Sequence, residues 1–181
     1  MKRPFFSILF VSAVLALSLG SCGSRNSGNE SPSQSEYETV GENADILQRM
    51  HDYHFEDTLR TGGHNYHYII DRIASDSLPV VTDDEGHRFA DNIYTLTIQR
   101  DGQSFLHRRF TKSAFASHLS ADFVRKGMLD GMMLDRSLPG LVFAVSVSLP
   151  QSDMFEPLLL RIDGSGGIAI ERDTRAENDF E

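Results

Sequence analysis

The chain predicts a mostly β (α+β) domain: an antiparallel meander of seven or eight strands, curled into a barrel or folded as a sandwich, with one inserted helix. Three observations carry this. From Tyr53 to Arg172 apolar side chains recur mainly at every second position, in short runs. Those runs are separated by turn chemistry, at Thr61-Gly62-Gly63, Asp101-Gly102 and Gly164-Ser165-Gly166-Gly167. Only the stretch from Thr111 to Gly127 has convincing helical spacing, so the interleaved helices that a parallel sheet requires are missing.

The elements follow in order. Lys2 and Arg3 precede an apolar run from Phe5 to Leu19. That run is about fifteen residues, and a spanning helix needs roughly twenty, so residues 1–21 read as a cleaved signal rather than an anchor. Leu19-Gly20-Ser21-Cys22 resembles the lipobox of lipoproteins cut by signal peptidase II. The resemblance implies cleavage after Leu19, Gly20 and Ser21, a diacylglycerol thioether on Cys22, and an amino terminus acylated by a chain such as palmitate. The alternative, an ordinary secretory signal, leaves Cys22 as a free thiol. Residues 23–39 are rich in glycine, serine, asparagine, glutamate and proline and carry no aliphatic side chain, so residues 22–39 read as lipidated cysteine and flexible tether.

The folded domain is expected over residues 40–173. Residues 43–52 carry Ile46, Leu47 and Met50 at the spacing of a short helix. Phe55 and Leu59 share one face of a strand, a turn follows at 61–63, and Tyr66, Tyr68 and Ile70 share a face of the next, which predicts a hairpin. Pro79 and Asp83-Asp84-Glu85-Gly86 punctuate the chain. In residues 92–100, Tyr94, Leu96 and Ile98 alternate with Thr95, Thr97 and Gln99. Asp101-Gly102 then suits a type I′ turn into a partner strand at 103–110. The helix opens near Thr111 or Ser113, carries Phe115, Leu119 and Phe123, and stops at Gly127, with Ser120 offering a cap for a second short turn. Strands follow at 128–136, 140–149, 158–163 and 168–172, with a turn at 150–153, and residues 174–181 read as a frayed acidic tail.

Composition narrows the function. Cys22 is the sole cysteine, so an intrachain disulfide, a cysteine nucleophile and a thiolate metal site are excluded. Loss of Lys2 and Arg3 with the signal leaves 15 basic residues against 26 acidic, a formal charge of −11, which argues against nucleic acid as a partner. Seven histidines are present, and His51, His54, His64 and His67 fall close together. On strands, however, residues three apart face opposite ways, and the hairpin places Asp57 opposite His67 for at most one carboxylate–imidazole contact. No metal site or cofactor is expected.

Asp83-Asp84-Glu85-Gly86 lacks the alternating oxygen ligands of a calcium loop. Gly164-Ser165-Gly166-Gly167 lacks the lysine and helix of a phosphate loop. Both read as turns. Ser146, Ser148, Ser152 and Asp153 have no spacing that makes them catalytic, so no catalytic residue is assigned. Tyr66, Tyr68, Phe89, Tyr94, Phe105 and Phe110 form core, or line a ligand cavity if the sheet closes.

Taken together, Ile70-Asp71-Arg72, Asp76-Ser77-Leu78-Pro79-Val80, Phe110-Thr111-Lys112, Ser146-Val147-Ser148 and Pro150-Gln151-Ser152-Asp153 resemble a family of short Bacteroidota lipoproteins catalogued as domain of unknown function 4738. The resemblance covers nearly all of the folded part and implies no activity. Some lipoproteins of that phylum reach the cell surface through an acidic run after the lipidated cysteine. Here Gly23-Ser24-Arg25-Asn26-Ser27 follows and the first acid is Glu30, which points to the periplasmic face of the outer membrane.

The expected role is that of a non-catalytic protein-interaction module of the cell envelope. Its partners are the membrane, through the lipid, and an envelope protein met by a strand edge or by the face of Ser146 and Ser148. A small apolar-ligand carrier and an envelope hydrolase are the competing classes. Intact mass spectrometry of the chain from its own envelope should show a protein beginning at residue 22 with added acyl mass, and Cys22→Ala should remove that mass. A maleimide-reactive thiol at Cys22 would reject lipidation.

Overall fold

Two meanders, each a contiguous stretch of chain, supply the two layers of a β sandwich. The computed structural model describes residues 46–175. The first layer contains β2 (Tyr53–Thr61), β3 (His64–Ala74), β6 (Asn92–Arg100) and β7 (Gln103–Phe110), in the order β2-β3-β6-β7. The second contains β8 (Met128–Leu134), β9 (Leu141–Ser148), β10 (Phe155–Ile162) and β11 (Ile168–Arg172), in the order β11-β10-β9-β8. Every pairing within these layers is antiparallel. A third, small sheet, β1 (Leu47–Gln48), β5 (Arg88–Phe89) and β4 (Val81–Thr82), pairs β1 and β5 in parallel. The connection between layers holds a 3₁₀ helix (Lys112–His118) and α1 (Ala121–Lys126).

Alternation decides what meets across the sandwich. Tyr68, Ile70, Tyr94, Leu96 and Ile98 from the first layer and Phe143, Val147, Leu158 and Leu160 from the second are buried in one contiguous cluster. Tyr68 meets Phe143 edge to face, with ring centroids 5.7 Å apart. Burying each such side chain contributes about 1.5–3 kcal/mol.

The structure decides between the expected sandwich and the expected barrel. Both layers keep free edges and no barrel closes, because the helical connection carries the chain from one layer to the other where a closing strand pair would be needed. The short helix expected at 43–52 is not formed over its described part. Leu47 and Gln48 pair with β5, and Met50 is buried against Val81, Phe89 and Met128. So short a segment nucleates a helix poorly, whereas joining β5 satisfies its backbone, as when the Ala90 N–H donates to the Gln48 carbonyl at 2.9 Å.

The single helix expected after Thr111 is broken. Leu119 and Ser120 are both extended, and the Ser120 N–H donates to the Glu156 carboxylate at 3.0 and 3.1 Å. A buried acid on β10 has thus captured the N–H that would have continued the helix, and Ser120 becomes the residue before α1. Phe115 and Phe123 are buried all the same, so the apolar spacing was read correctly although the helix was not.

The β2–β3 turn is two residues, Gly62 and Gly63, both at positive φ as a type I′ turn requires. The expected three-residue turn placed Asp57 opposite His67. In fact Thr58 faces His67, and Asp57 faces Tyr68. Strand β8 ends at Leu134 rather than 136, and β10 begins at Phe155 rather than 158. Arg175, placed in the expected frayed tail, bonds Asp173 and Asp135 at 2.6 Å each. Residues 176–181, the signal at 1–21 and the tether at 22–39 lie outside the described residues.

One polar cluster ties the layers. Asp91 is buried, and its Oδ1 accepts the N–H groups of Asn92 and Leu129 at 2.8 and 3.0 Å. The Lys112 ammonium stands 3.7 Å from its Oδ2 and donates to the Gly127 carbonyl at 2.6 Å. Asn92 donates its amide to the Leu129 carbonyl at 2.9 Å. Asp91→Ala leaves two N–H groups without their acceptor and the lysine without its counter-ion, so urea unfolding should show a loss of about 3 kcal/mol, with Asp91→Asn losing less. An unchanged midpoint for the alanine variant would refute this role.

Candidate functional site

Strand β2 is an edge strand of the first layer. Its core-side face carries Tyr53, Phe55, Asp57 and Leu59, opposite Arg72, Ile70, Tyr68 and Tyr66 of β3. Those β3 tyrosines and Ile70 are buried, yet Tyr53 and Phe55 remain 41% and 40% exposed. Two residues apart on one strand, they point the same way and their rings lie parallel, with centroids 6.4 Å apart. Phe55 also touches Tyr68, at 6.2 Å. The result is an aromatic ledge at the rim of the core.

Arg72 supports the ledge from behind. Its guanidinium lies 5.6 Å from the Tyr53 ring centre and donates to the carbonyls of His51 and Asp130 at 2.9 and 3.3 Å. The Tyr94 hydroxyl donates to the same Asp130 carbonyl, and burial raises that hydroxyl's pKa. Asp130 is the extra residue of a bulge in β8, between Leu129 and Gly131. Its carboxylate turns to the outer face and accepts from the Ser146 hydroxyl at 2.8 Å, with Ser148 as a further partner. A Cβ at Gly131 would stand 2.1 Å from Ser146 Oγ, so a larger residue there would have to turn the Ser146 hydroxyl away from Asp130. Thus Ser146 and Ser148, expected on a wet docking face, are partly buried and engaged with Asp130.

At its middle the edge of β2 is closed. Asp57 Oδ1 accepts the Thr58 N–H at 2.7 Å, and Arg136 donates to Asp57 Oδ2 at 2.5 Å and to the Thr58 carbonyl at 3.0 Å. The Thr58 N–H, followed by Arg136, holds the Asp57 carboxyl below its ordinary range.

The remaining sequence-derived residues are dispersed. His54 bonds Asp71 at 2.6 Å, His64 bonds Asp101 at 2.6 Å, and His67 lies 3.3 Å from Glu56. His87 lies 3.0 Å from Asp83. The first three are pairs, His87 also lies 3.7 Å from Glu85, and no group of three side chains placed to hold a metal ion is found among the described residues. Asp83 and Asp163 accept N–H groups of their own turns, so in the Gly164–Gly167 turn the site a phosphate would need holds Asp163 instead. Ser152 accepts the Met154 N–H within its turn. Tyr66, Tyr68, Phe89, Tyr94 and Phe110 are buried, and Phe105 packs against them partly buried. Leu19, Gly20, Ser21 and Cys22 lie outside the described residues.

The model of a family described as "Domain of unknown function (DUF4738)" matches residues 33–170. The chain belongs to this family. No curated protein matches it. The DUF4738 match takes in both layers of the sandwich, and with them the ledge, the bulge and the closed edge. Sequence reasoning passed over most of these features. Asp130-Gly131 inside the apolar run 128–134 was the available sign of a bulge. Nothing local marks Tyr53 as exposed or pairs Asp57 with Arg136.

This surface combines two aromatic faces, one of them backed by a guanidinium, with an edge strand. Asp130 also leaves a pH signature. Burial raises its carboxyl above the ordinary value, so its ionisation works against the fold near neutrality, and stability rises as pH falls through that raised value. Thermal unfolding from neutral to mildly acid pH should show a smaller rise for Asp130→Asn than for the natural chain. Identical profiles would refute the assignment.

Proposed function

We propose that the protein is an outer-membrane lipoprotein, lipid-anchored through Cys22 and facing the periplasm, that works as a non-catalytic protein-interaction module of the cell envelope. The observation that carries the interaction reading is the stacked pair Tyr53 and Phe55, exposed on a strand face whose neighbours are core, beside a free strand edge. Large exposed aromatics backed by arginine supply buried area and orientation when a partner covers them, and interface hot spots are enriched in tyrosine and arginine. The basic-then-apolar segment ending in Leu19-Gly20-Ser21-Cys22 supports the membrane address. Among the described residues no helix is long and apolar enough to cross a membrane.

Two observations weigh against the competing readings. A carrier needs space beside Tyr94, Leu96 and Ile98, and these are packed in the continuous core. Two surface hollows lie elsewhere, one lined by Pro139–Val142 with Arg161–Asp163 and Gly167–Ala169, the other by Thr61, His64 and Tyr66 with Arg100 and Ile162–Gly164. A serine hydrolase of the usual kind needs an imidazole beside its serine, and the Ser146 hydroxyl donates instead to the Asp130 carboxylate at 2.8 Å.

Photo-crosslinking amino acids placed at Tyr53 and at Phe55 in living cells should give discrete adducts with another polypeptide. The same probe at Phe143, which is fully buried, should give none. Absence of adducts from both ledge positions, with the protein present at normal abundance, would overturn the interaction reading.

A further inference from the structure

The middle of β2's edge is held by the ion pair of Asp57 and Arg136. In a hairpin with a two-residue turn, Thr61 and His64 exchange both hydrogen bonds, so Thr58 and its alternates turn their N–H and C=O groups away from β3. His54, Glu56, Thr58 and Arg60 therefore present the free edge, and their side chains lie on the outer face of the sheet. Of these, Thr58 is the residue whose two edge groups are taken, the N–H by Asp57 and the carbonyl by Arg136. An inward-pointing charge on an edge strand is a known guard against strand addition.

We infer that the free edge of β2 is an addition site for the same strand of a second copy of this chain, kept shut by the Asp57–Arg136 clip. The charge pattern selects this occupant and its register. Two β2 strands paired antiparallel about Thr58 set Glu56 of each copy opposite Arg60 of the other, giving two opposite-charge pairs on one face. Centring on Asp57 sets Asp57 against Asp57 and His54 against Arg60. Centring on Glu56 opposes two glutamates. In the Thr58 register the paired residues all direct their backbone groups outward, so the ladder closes. Thr58 then sits on the two-fold axis, and the clip occupies the one position at which addition must begin or stop.

The inference rests on the reading of β2 as a docking strand but fails separately from it. Native mass spectrometry of the full chain in detergent should give a monomer for the natural protein. Asp57→Ala, which frees the Thr58 N–H and removes the anchor of Arg136, should strengthen dimerisation at least tenfold, and Arg136→Ala should move it the same way. In the Asp57→Ala background, Glu56→Arg should return the monomer, and Glu56→Arg with Arg60→Glu should restore the dimer. A monomer in both clip variants, with unchanged circular dichroism, would overturn the inference. So would a dimer indifferent to the charge exchange. Ledge crosslinks to another polypeptide alongside monomeric clip variants would reject the self-pair while leaving the interaction reading standing.

Discussion

The buried carboxylate of Asp91 is the constraint on which the rest of this domain depends. It stands where β5 ends and β6 begins, and it reaches across to the Leu129 N–H at the start of β8. A charge in that position is tolerated only when it is compensated, and two N–H groups on Oδ1 with an ammonium 3.7 Å from Oδ2 offset part of its burial. The lysine is in turn tied to the carbonyl that ends α1. Few arrangements of the layers meet all these demands at once. The cluster therefore specifies how the layers are placed, whereas the apolar core supplies the driving force for bringing them together.

Because β8 is held at Asp91 near its start, its path over the first layer follows. Asp130 meets Arg72 and Tyr94, and Arg136, beyond the end of β8, reaches Asp57 on β2. Tyr53 and Phe55 are left uncovered beside this path. The exposed ledge and the clipped edge are thus two results of one placement rather than independent features.

Much of the fold was legible in the sequence because hairpins are local. Strands 92–100 and 103–110 are found at those residues, since strict alternation in the first leads into a turn whose Asp101 and Gly102 both adopt positive φ. The last strand, 168–172, is equally faithful. The errors arose where a distant residue decided the outcome. The helix after Thr111 was broken by Glu156, 36 residues away from Ser120, whose N–H it holds. Asp57 and Arg136 lie 79 residues apart, and no periodicity announces their pairing. The hairpin offset at His67 failed for a local reason, the choice between a two- and a three-residue turn, which shifts every cross-strand partner by one.

The order of the strands along the chain bears on how this domain reaches its native state. Within the two layers every ladder joins sequence neighbours except β3 with β6, and that pair is interrupted only by the segment carrying β4 and β5. Closing such short loops costs little chain entropy, so contact order is low for an all-β topology and collapse need not wait for distant partners. Each meander can assemble from its own residues, and the largest loss of freedom comes when two preformed apolar faces dock through the connection at 111–127. For a chain that emerges from its amino end as it is synthesised, that sequence of events leaves the first layer's hydrophobic face waiting for the second, so its lifetime in that half-made state sets the exposure to misassembly.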